Sequence, residues 1–572
     1  MIFVGCYLRH ILGVKSEVFE LPGREIKGMV LSTRGIAFVS LLTVLLLFRF
    51  RSYDDNRTAS WSWVFASGDF SFVVILWLFA LAMGYAFSQL RESRDRALLT
   101  LALAAALPLM GMPEIMMDTS RYFTYAKYAE VYGLRYLWEE WGREIHPWTD
   151  LPLVPLIYGA IFSLLGESRT CVQLFNLLAF AGTVLLTSRL AELLFGRSAG
   201  FYAGLSLIAM PYLLIQVPQM LVDVATMFFL TLAIYTTLIA LERGGTLRLA
   251  AAGISIALAF FSKYSTWMML SVLLVAALLY ARRSAGPTMR RCAAIGGIAG
   301  AAILLVMLQK QGVFLEQLEL LRSFQAPGLR RWGESYLSTF FFQVHPFVTL
   351  SALAALCLAI RERRSAVIIA VFPFLLILLL EIKRIRYTLP IFPMLAVLAG
   401  YTLSRLPREP ARLIAGYAAA FSFMLALFAY VPFIESLSVV NLREAGEFLN
   451  QLEAQEVEVL TWVPPGMSYN PNITIPMLDL FTQKRLVYVH VEVVPPPREQ
   501  ILRSPIRFTW EYRLPPFYLG NSSSGVVVVI QRQYTGMPEE VERRVENLSL
   551  IARFNTSTRL FHFRTLVDVY AP

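Results

Sequence analysis

Between position 31 and about position 431 the chain alternates apolar runs of about 17 to 25 residues with short polar connections. A helix rises 1.5 Å per residue, so about 20 apolar residues cross the hydrocarbon core of a bilayer. The pattern predicts about thirteen membrane helices, near 31–49, 70–90, 97–113, 171–193, 199–217, 225–241, 249–262, 266–281, 292–308, 346–360, 366–380, 389–405 and 411–431. The apolar stretch 150–166 opens with prolines and is short for a span. It reads as a helix lying along the membrane surface; a true span there would invert everything downstream.

After about 435 the period changes. LREAGEFLNQLEAQ and PEEVERRVENLS read as helices, while EVEVLTWV, RLVYVHVEVV, GVVVVIQ and LFHFRTLVDVY read as strands. This is a small α/β domain of roughly 130 residues, enough to bury a core of its own. The expected division is an N-terminal segment with two extra membrane helices (1–96), a helical catalytic module (97–435) and an α/β domain (436–572).

Composition sharpens this picture. Hydrophobic residues make up 57% of the chain and charged residues 16%, against roughly a quarter charged in a soluble domain. A soluble enzyme is excluded for the first three quarters. The net charge of +11 comes from basic clusters between apolar runs, which is how cytoplasmic loops are marked, so nucleic acid is not the implied partner. With the N-terminus cytoplasmic, RESRDR (91–96), FGRSAG (195–200), ERGGTLR (242–248), ARRSAGPTMRR (281–291), RERR (361–364) and SRLPREPAR (404–412) all fall on one side. The N-x-S/T patterns at Asn56, Asn472, Asn521, Asn547 and Asn555 all fall on the other, as does the C-terminal domain. Cys6, Cys171, Cys292 and Cys357 are scattered, without metal or disulfide spacing. The first 30 residues lack a signal peptide's pattern, and Met29 is an alternative start.

Three segments expected on the non-cytoplasmic side carry candidate chemistry. In MPEIMMDTSRYFTYAKYAEVYG (112–133), Asp118 follows a membrane exit, with Tyr122, Tyr125 and Tyr128 along one helix face. A carboxylate half-sheltered at an apolar boundary gains the proton affinity a general base needs; read alone, it is a solvated loop acid before it is a base. In IQVPQMLVDVATMFF (215–229), Asp223 lies between two apolar helices, where a carboxylate is costly unless it faces a polar cavity or caps the next helix. In EIKRIRYTLPIFP (381–393), Lys383, Arg384 and Arg386 stand on the side where the charge rule disfavours cations. They suit an anionic ligand such as a phosphate, or lipid headgroups. Lys263 ends a helix on the same side and either snorkels or reaches a phosphate. His146 reads as structural, and Gly296 and Gly300 as a helix-packing pair. No phosphate-binding loop, HExxH motif or dinucleotide fingerprint is present in a suitable context.

Taken in order, these segments resemble the GT-C membrane glycosyltransferases, closest to the protein O-mannosyltransferase and aminoarabinose-transferase branch. Asp118 stands where that family has an aspartate in its first large outer loop, and His146-Pro147 matches part of a His-Pro-Pro surface-helix motif. Asp223 matches an aspartate of the next outer loop. Arg386-Tyr387-Thr388-Leu389-Pro390-Ile391-Phe392-Pro393 matches Arg-Tyr-x-Leu-Pro-x-x-Pro in full. The resemblance covers roughly 97–431 and implies a polyprenyl-phosphate sugar donor and an acceptor hydroxyl on the outer membrane face. It places Asp118 and Asp223 in the catalytic centre. Lys263, Lys383, Arg384, Arg386 and Tyr387 fall at the donor phosphate, with Tyr122 and His146 in the pocket. The chain departs from the family at Thr119 and Trp148, and in having no Arg before Asp223. These differences bear on sugar and acceptor more than on reaction class. No WWD motif is present, unlike the oligosaccharyltransferases. Neither a cofactor nor a metal is specified. Outside this reading stand a lipid or polysaccharide transporter and a non-catalytic subunit of a glycan assembly complex.

Overall fold

A computed structural model describes residues 32–89, 95–326, 333–467, 469–491, 493–504, 506–520, 525–534, 536–558 and 564–572. Cys6, Met29, Asn521 and positions 91–94 of the first basic connection lie outside the described residues.

Among the described residues, five helices are long and apolar enough to cross a membrane: Phe70–Gln89, Arg169–Phe195, Asp223–Arg243, Ala285–Gln309 and Arg408–Glu435. Other expected spans are held by shorter apolar helices, including Thr246–Ser262, Ser265–Ala281 and Val367–Leu379. Breaks in the sequence explain part of the difference from the expected thirteen. The run near 199–217 splits into Arg197–Ile208 and Pro211–Gln216, because a proline cannot continue the hydrogen-bond ladder of the helix before it. Glycines let the helices close in. A Cβ on Gly400 would stand 2.5 Å from the Ala199 carbonyl oxygen, so Phe392–Leu403 and Arg197–Ile208 meet backbone to backbone. Gly296 and Gly300, expected to pack, face open space instead; that flank of Ala285–Gln309 has no helix against it among the described residues.

The expected basic connections that lie among the described residues gather at one end of the bundle. There Arg291 donates to the Leu241 carbonyl (2.5 Å), and Arg405 pairs with Glu362 at 2.6 Å. The two N-terminal helices, Thr33–Arg49 and Phe70–Gln89, pack on Arg408–Leu425. Their connection reaches the opposite end, where Asp54 accepts from the Trp61 backbone N–H, Ser338 and Gln343. Asn56, one of the five N-x-S/T sites, is fully buried there and accepts from the backbone of Thr58 and Ala59.

At that same end lies Asp118–Tyr132, with Leu153–Leu165 alongside it. Thirteen residues make a helix of only about 20 Å. Gly159 lets it settle on Ala129, and Ser163 donates to the Ala129 carbonyl at 2.7 Å. Its far end presents exposed Leu164 and Leu165. His146-Pro147 does not open this helix but lies in the turn before it, where Trp148 adopts φ +51° and donates its N–H to His146 Nδ1.

The C-terminal domain is a five-stranded sheet: β1 Glu456–Trp462, β2 Arg485–Tyr488, β3 Val527–Gln531, β4 Ser549–Phe554 and β5 Leu566–Ala571. The order is β2-β1-β3-β5-β4, parallel across β2-β1-β3 and antiparallel for β5 against both β3 and β4. Central β1 and β3 are buried along nearly their whole length, as continuous apolar runs should be. Two expectations are corrected. The run 485–494 keeps only four residues as strand before its prolines, and β4 was not anticipated. It is an edge strand with exposed Leu550 and Ile551, following directly on the acidic-basic helix Glu539–Val545.

Candidate active site

The sheet domain sits over the end of the bundle where the polar segments converge. Lys127 pairs with Asp479 of the domain, and Thr124 meets Tyr512 at 3.2 Å. Beneath, five segments bring six ionisable side chains into a single row of alternating charge. Asp150 comes from the turn before Leu153–Leu165, and Arg121 and Asp118 from one turn of Asp118–Tyr132. Arg386 comes from the short helix Ile385–Thr388. Asp223 is the first residue of Asp223–Arg243, where the positive end of the helix dipole favours a carboxylate. Lys263 caps the end of Thr246–Ser262.

The row is continuous. Arg121 Nη1 is 3.0 Å from Asp150, and its Nη2 is 3.0 Å from Asp118 Oδ1. Arg386 Nη1 reaches Asp118 Oδ2 at 2.5 Å, while its Nε and Nη2 both donate to Asp223 Oδ2, at 3.1 and 2.9 Å. Lys263 Nζ closes on the other oxygen of Asp223 at 2.5 Å. Tyr122 donates to Asp150 at 2.9 Å at one end, and Lys263 lies over the Tyr387 ring at the other. Three acids face three bases. Charges this buried persist only when paired, and alternation supplies the pairing; between Arg121 and Asp150 it is an ion pair without a hydrogen bond.

The row forms the floor of a cavity of about 610 Å³. Asp118, Tyr122, Asp150, Lys263, Arg384, Arg386 and Tyr387 are on its wall; Trp267, Met268 and Leu321 make an apolar flank. Asp223 is fully buried and not on the wall: it stands behind Arg386 and Lys263. Lys383 is exposed and His146 lines a smaller neighbouring pocket, so neither borders this cavity.

The proton affinity expected of Asp118 is corrected by the structure. Burial raises it, but Arg386 and Arg121 outweigh burial and hold the carboxyl well below the usual carboxylate range. Asp150 goes the other way: burial dominates over Arg121, and its carboxyl is raised.

Sequence reasoning missed Arg121 and Asp150. Both carried a readable signal: Arg121 lies one helical turn from Asp118, where side chains meet, and Asp150 ends the IHPWTD turn. It also missed Glu334, which is buried and accepts from the backbone N–H groups of Arg57 (3.3 Å) and Ile385 (2.8 Å). Glu334, Arg57 and Thr58 line the cavity, so the N-terminal connection contributes to its wall. Glu114 fixes the approach to Asp118 from within the core. It accepts from Arg169 (2.9 Å), Thr119 (3.0 Å) and the Met220 backbone (3.0 Å). Among the described residues no group of three or more His, Cys, Asp or Glu is placed to hold a metal ion.

A helical membrane bundle with its polar cavity at one end, roofed by a small sheet domain, is a fold shared with solved structures. The family described as dolichyl-phosphate-mannose-protein mannosyltransferase matches residues 146–308. The crystal structure of ArnT from Cupriavidus metallidurans bound to undecaprenyl phosphate superimposes with TM-score 0.51 at 14% identity, over 83% of this chain and 97% of that one. The apo state of the same protein gives 0.50, also at 14% identity and over the same shares. The archaeal oligosaccharyltransferase AglB from Archaeoglobus fulgidus, in complex with an inhibitory peptide and a dolichol-phosphate, gives 0.42 at 11% identity, over 76% and 69%. No curated protein sequence matches. The chain is a multi-pass membrane protein of this fold.

Proposed function

We propose that this protein transfers a sugar from a polyprenyl-phosphate donor to an acceptor hydroxyl on the non-cytoplasmic face of the membrane. The observation that carries the reading is Arg386, held between Asp118 and Asp223 on the floor of a cavity with an apolar flank. Such a cavity has places for a phosphate, a sugar and the start of a lipid chain. Its sidedness follows from the charge rule: the basic connections lie at the opposite end of the bundle. Nucleotide sugars are cytoplasmic, so a donor used on this face has to be carried across on a lipid.

Three of the five N–H donors of Arg386 bind the two acids, leaving two for the donor phosphate. Arg384 and Lys263 add positive charge on the same wall. As the acceptor oxygen forms its bond to the anomeric carbon, the bond from that carbon to the phosphate oxygen breaks. The leaving phosphate takes the electron pair and gains a negative charge facing these cations. The acceptor proton passes to Asp118. An incoming phosphate competes with Asp118 for the Arg386 charge, which lifts the proton affinity of Asp118 from its low resting level. Asp223 anchors Arg386 and Lys263 from behind and touches no substrate. Tyr122 and Tyr387 border the pocket. The family match at 146–308 and the shared fold support this reading.

The test is transfer from a radiolabelled polyprenyl-phosphate sugar by the purified full chain, with glycan mass spectrometry of cells with and without it to identify the product. Asp118→Asn abolishes transfer while the protein stays folded. Arg386→Ala weakens use of the donor. Uptake of labelled lipid with no covalent product, or near-normal turnover by Asp118→Asn, overturns the assignment.

A further inference from the structure

We infer that Phe508, carried by the C-terminal domain, is a positioning residue for the transfer reaction: its ring holds the Arg121 guanidinium against Asp118 and Asp150. The inference rests on the glycosyl-transfer reading and assigns the sheet domain a part in it.

The guanidinium carbon of Arg121 lies 4.6 Å from the centroid of the Phe508 ring, and both residues are buried. In that position Arg121 presents one terminal nitrogen to each acid at 3.0 Å. Its buried Nε and Nη1 have no hydrogen-bond partner, so the head group is held by its hydrogen bond to Asp118, its charge pairing with Asp150 and the ring. A desolvated guanidinium against an aromatic face is where a cation–π contact is strongest. Phe508 is itself held from both sides. It belongs to the short helix Arg507–Trp510, anchored where Arg507 binds Glu511 (2.5 Å) and Thr509 accepts from the Asn470 backbone (3.1 Å). Trp148 and Phe324 pack in the same apolar cluster.

The placement has a second consequence. Arg121, Trp148 and Phe508 border both the large cavity and the smaller pocket that holds His146 and Tyr512. They form the partition between the two. A shift of the sheet domain over the bundle therefore moves a wall of the cavity and the cation beside Asp118 together.

Asp118 faces Arg121 from its own helix and Arg384 and Arg386 from the opposite segment. Asp150 and Tyr122 stand on the far side of Arg121, and Asp223 and Lys263 lie beyond Arg386. Arg121 is stacked on the sheet domain through Phe508. Loosening it removes one of the two main charges that keep Asp118 ionised, and the acid binds protons more readily.

The experiment uses the full chain in detergent or nanodiscs and two readouts. The first is labelling of Asp118 by dicyclohexylcarbodiimide, which reacts with protonated carboxyls, followed by peptide mass spectrometry across a pH series. The second is kcat and donor KM for transfer. Phe508→Leu keeps apolar bulk in the cluster but has no aromatic face; Phe508→Tyr keeps the face. Phe508→Leu is expected to raise Asp118 labelling several-fold at a given pH and to lower kcat about tenfold with donor KM little changed. Phe508→Tyr restores both, and Arg121→Gln, with no cation to hold, raises labelling furthest. If labelling in Phe508→Leu stays at the wild-type level, or rises while kcat is unchanged, the positioning role is wrong. A fall in kcat without a labelling change marks Phe508 as packing only and also overturns it. If the wild-type protein transfers no sugar, the reaction proposed above fails and the role of Phe508 in it fails with it. The labelling series then still decides whether the ring holds Arg121 against Asp118.

Discussion

Arg386 grips Asp223 with two N–H groups on a single carboxylate oxygen, at 3.1 and 2.9 Å, and the acid it grips has no exposed surface. Removing one member of such a pair strands the other as a buried charge, at a cost of about 3–5 kcal/mol. Asp223→Asn and Arg386→Gln should therefore each lower thermal stability markedly. The double variant should lose less than the sum of the two, because each partner's penalty is relieved when the other is gone. Thermal unfolding of the four proteins in one detergent measures it; additive losses would show that the pair is not coupled.

A related prediction concerns Glu114, which lies beyond the cavity wall. Its carboxylate ties Arg169, Thr119 and the backbone of Met220 into one knot just ahead of Asp118. Glu114→Ala is expected to cost about 3 kcal/mol or more by stranding Arg169 and to depress turnover by displacing Asp118–Tyr132. Glu114→Gln keeps most of the hydrogen bonds and should retain more of both. Thermal stability and kcat measured on the two variants separate these outcomes.

The docking of the sheet domain carries a pH dependence of its own. Lys127 pairs with Asp479 of the domain and lies 3.0 Å from Glu167. Tyr518 donates to Asp479 at 2.5 Å. Burial, followed by the nearby Asp479, pushes the Glu167 carboxyl from its ordinary 4.5 to about 8 despite Lys127. Between those values the folded protein keeps a proton that the unfolded chain has released, so stability falls as pH rises through that window. Glu167→Gln should flatten the slope of Tm against pH over that range. A slope unchanged in the variant would refute the assignment.

Close packing supplies a contrasting pair of substitutions. Gly400→Ala places a methyl 2.5 Å from the Ala199 carbonyl oxygen and 2.6 Å from the Ala203 nitrogen. It should destabilise by about 1–3 kcal/mol, as overpacked cores do. Gly296→Ala meets no atom within 4 Å and should be neutral or slightly stabilising, since alanine suits a helix better than glycine. Thermal melts of the two decide it.

Much of this fold could be read from the chain, because the apolar runs and basic connections are long-range patterns that survive without tertiary knowledge. Asp118 and Asp223 stood out as acids at the ends of apolar runs, and the Arg-Tyr-x-Leu-Pro-x-x-Pro segment through its resemblance to a family motif. What stayed hidden depends on partners distant in sequence. Asp118 read as an acid of raised proton affinity because its apolar surroundings are local, whereas Arg386, which reverses the sign, lies 268 residues away. Asp150 draws its significance from Arg121 and Tyr122, which lie 29 and 28 residues before it. Strand β4 escaped notice because its core-facing Ala552 and Phe554 are only half-buried and its other residues do not alternate cleanly. Phe508 carries no motif: its meaning comes from the guanidinium it covers.

In the transfer reaction proposed above, the alternating row also bears on how charge in the pocket is balanced through a turnover. Asp150, Asp118 and Asp223 balance Arg121, Arg386 and Lys263, so in ordinary ionisation the row itself is neutral, and Arg57 and Arg384 against Glu334 leave the surrounding wall positive. A phosphodiester donor brings one negative charge, and its departure as a phosphomonoester leaves two. The acceptor's proton, once lodged on Asp118, cancels that increment inside the pocket. Proton capture and lipid-phosphate release are then two sides of a single neutrality condition.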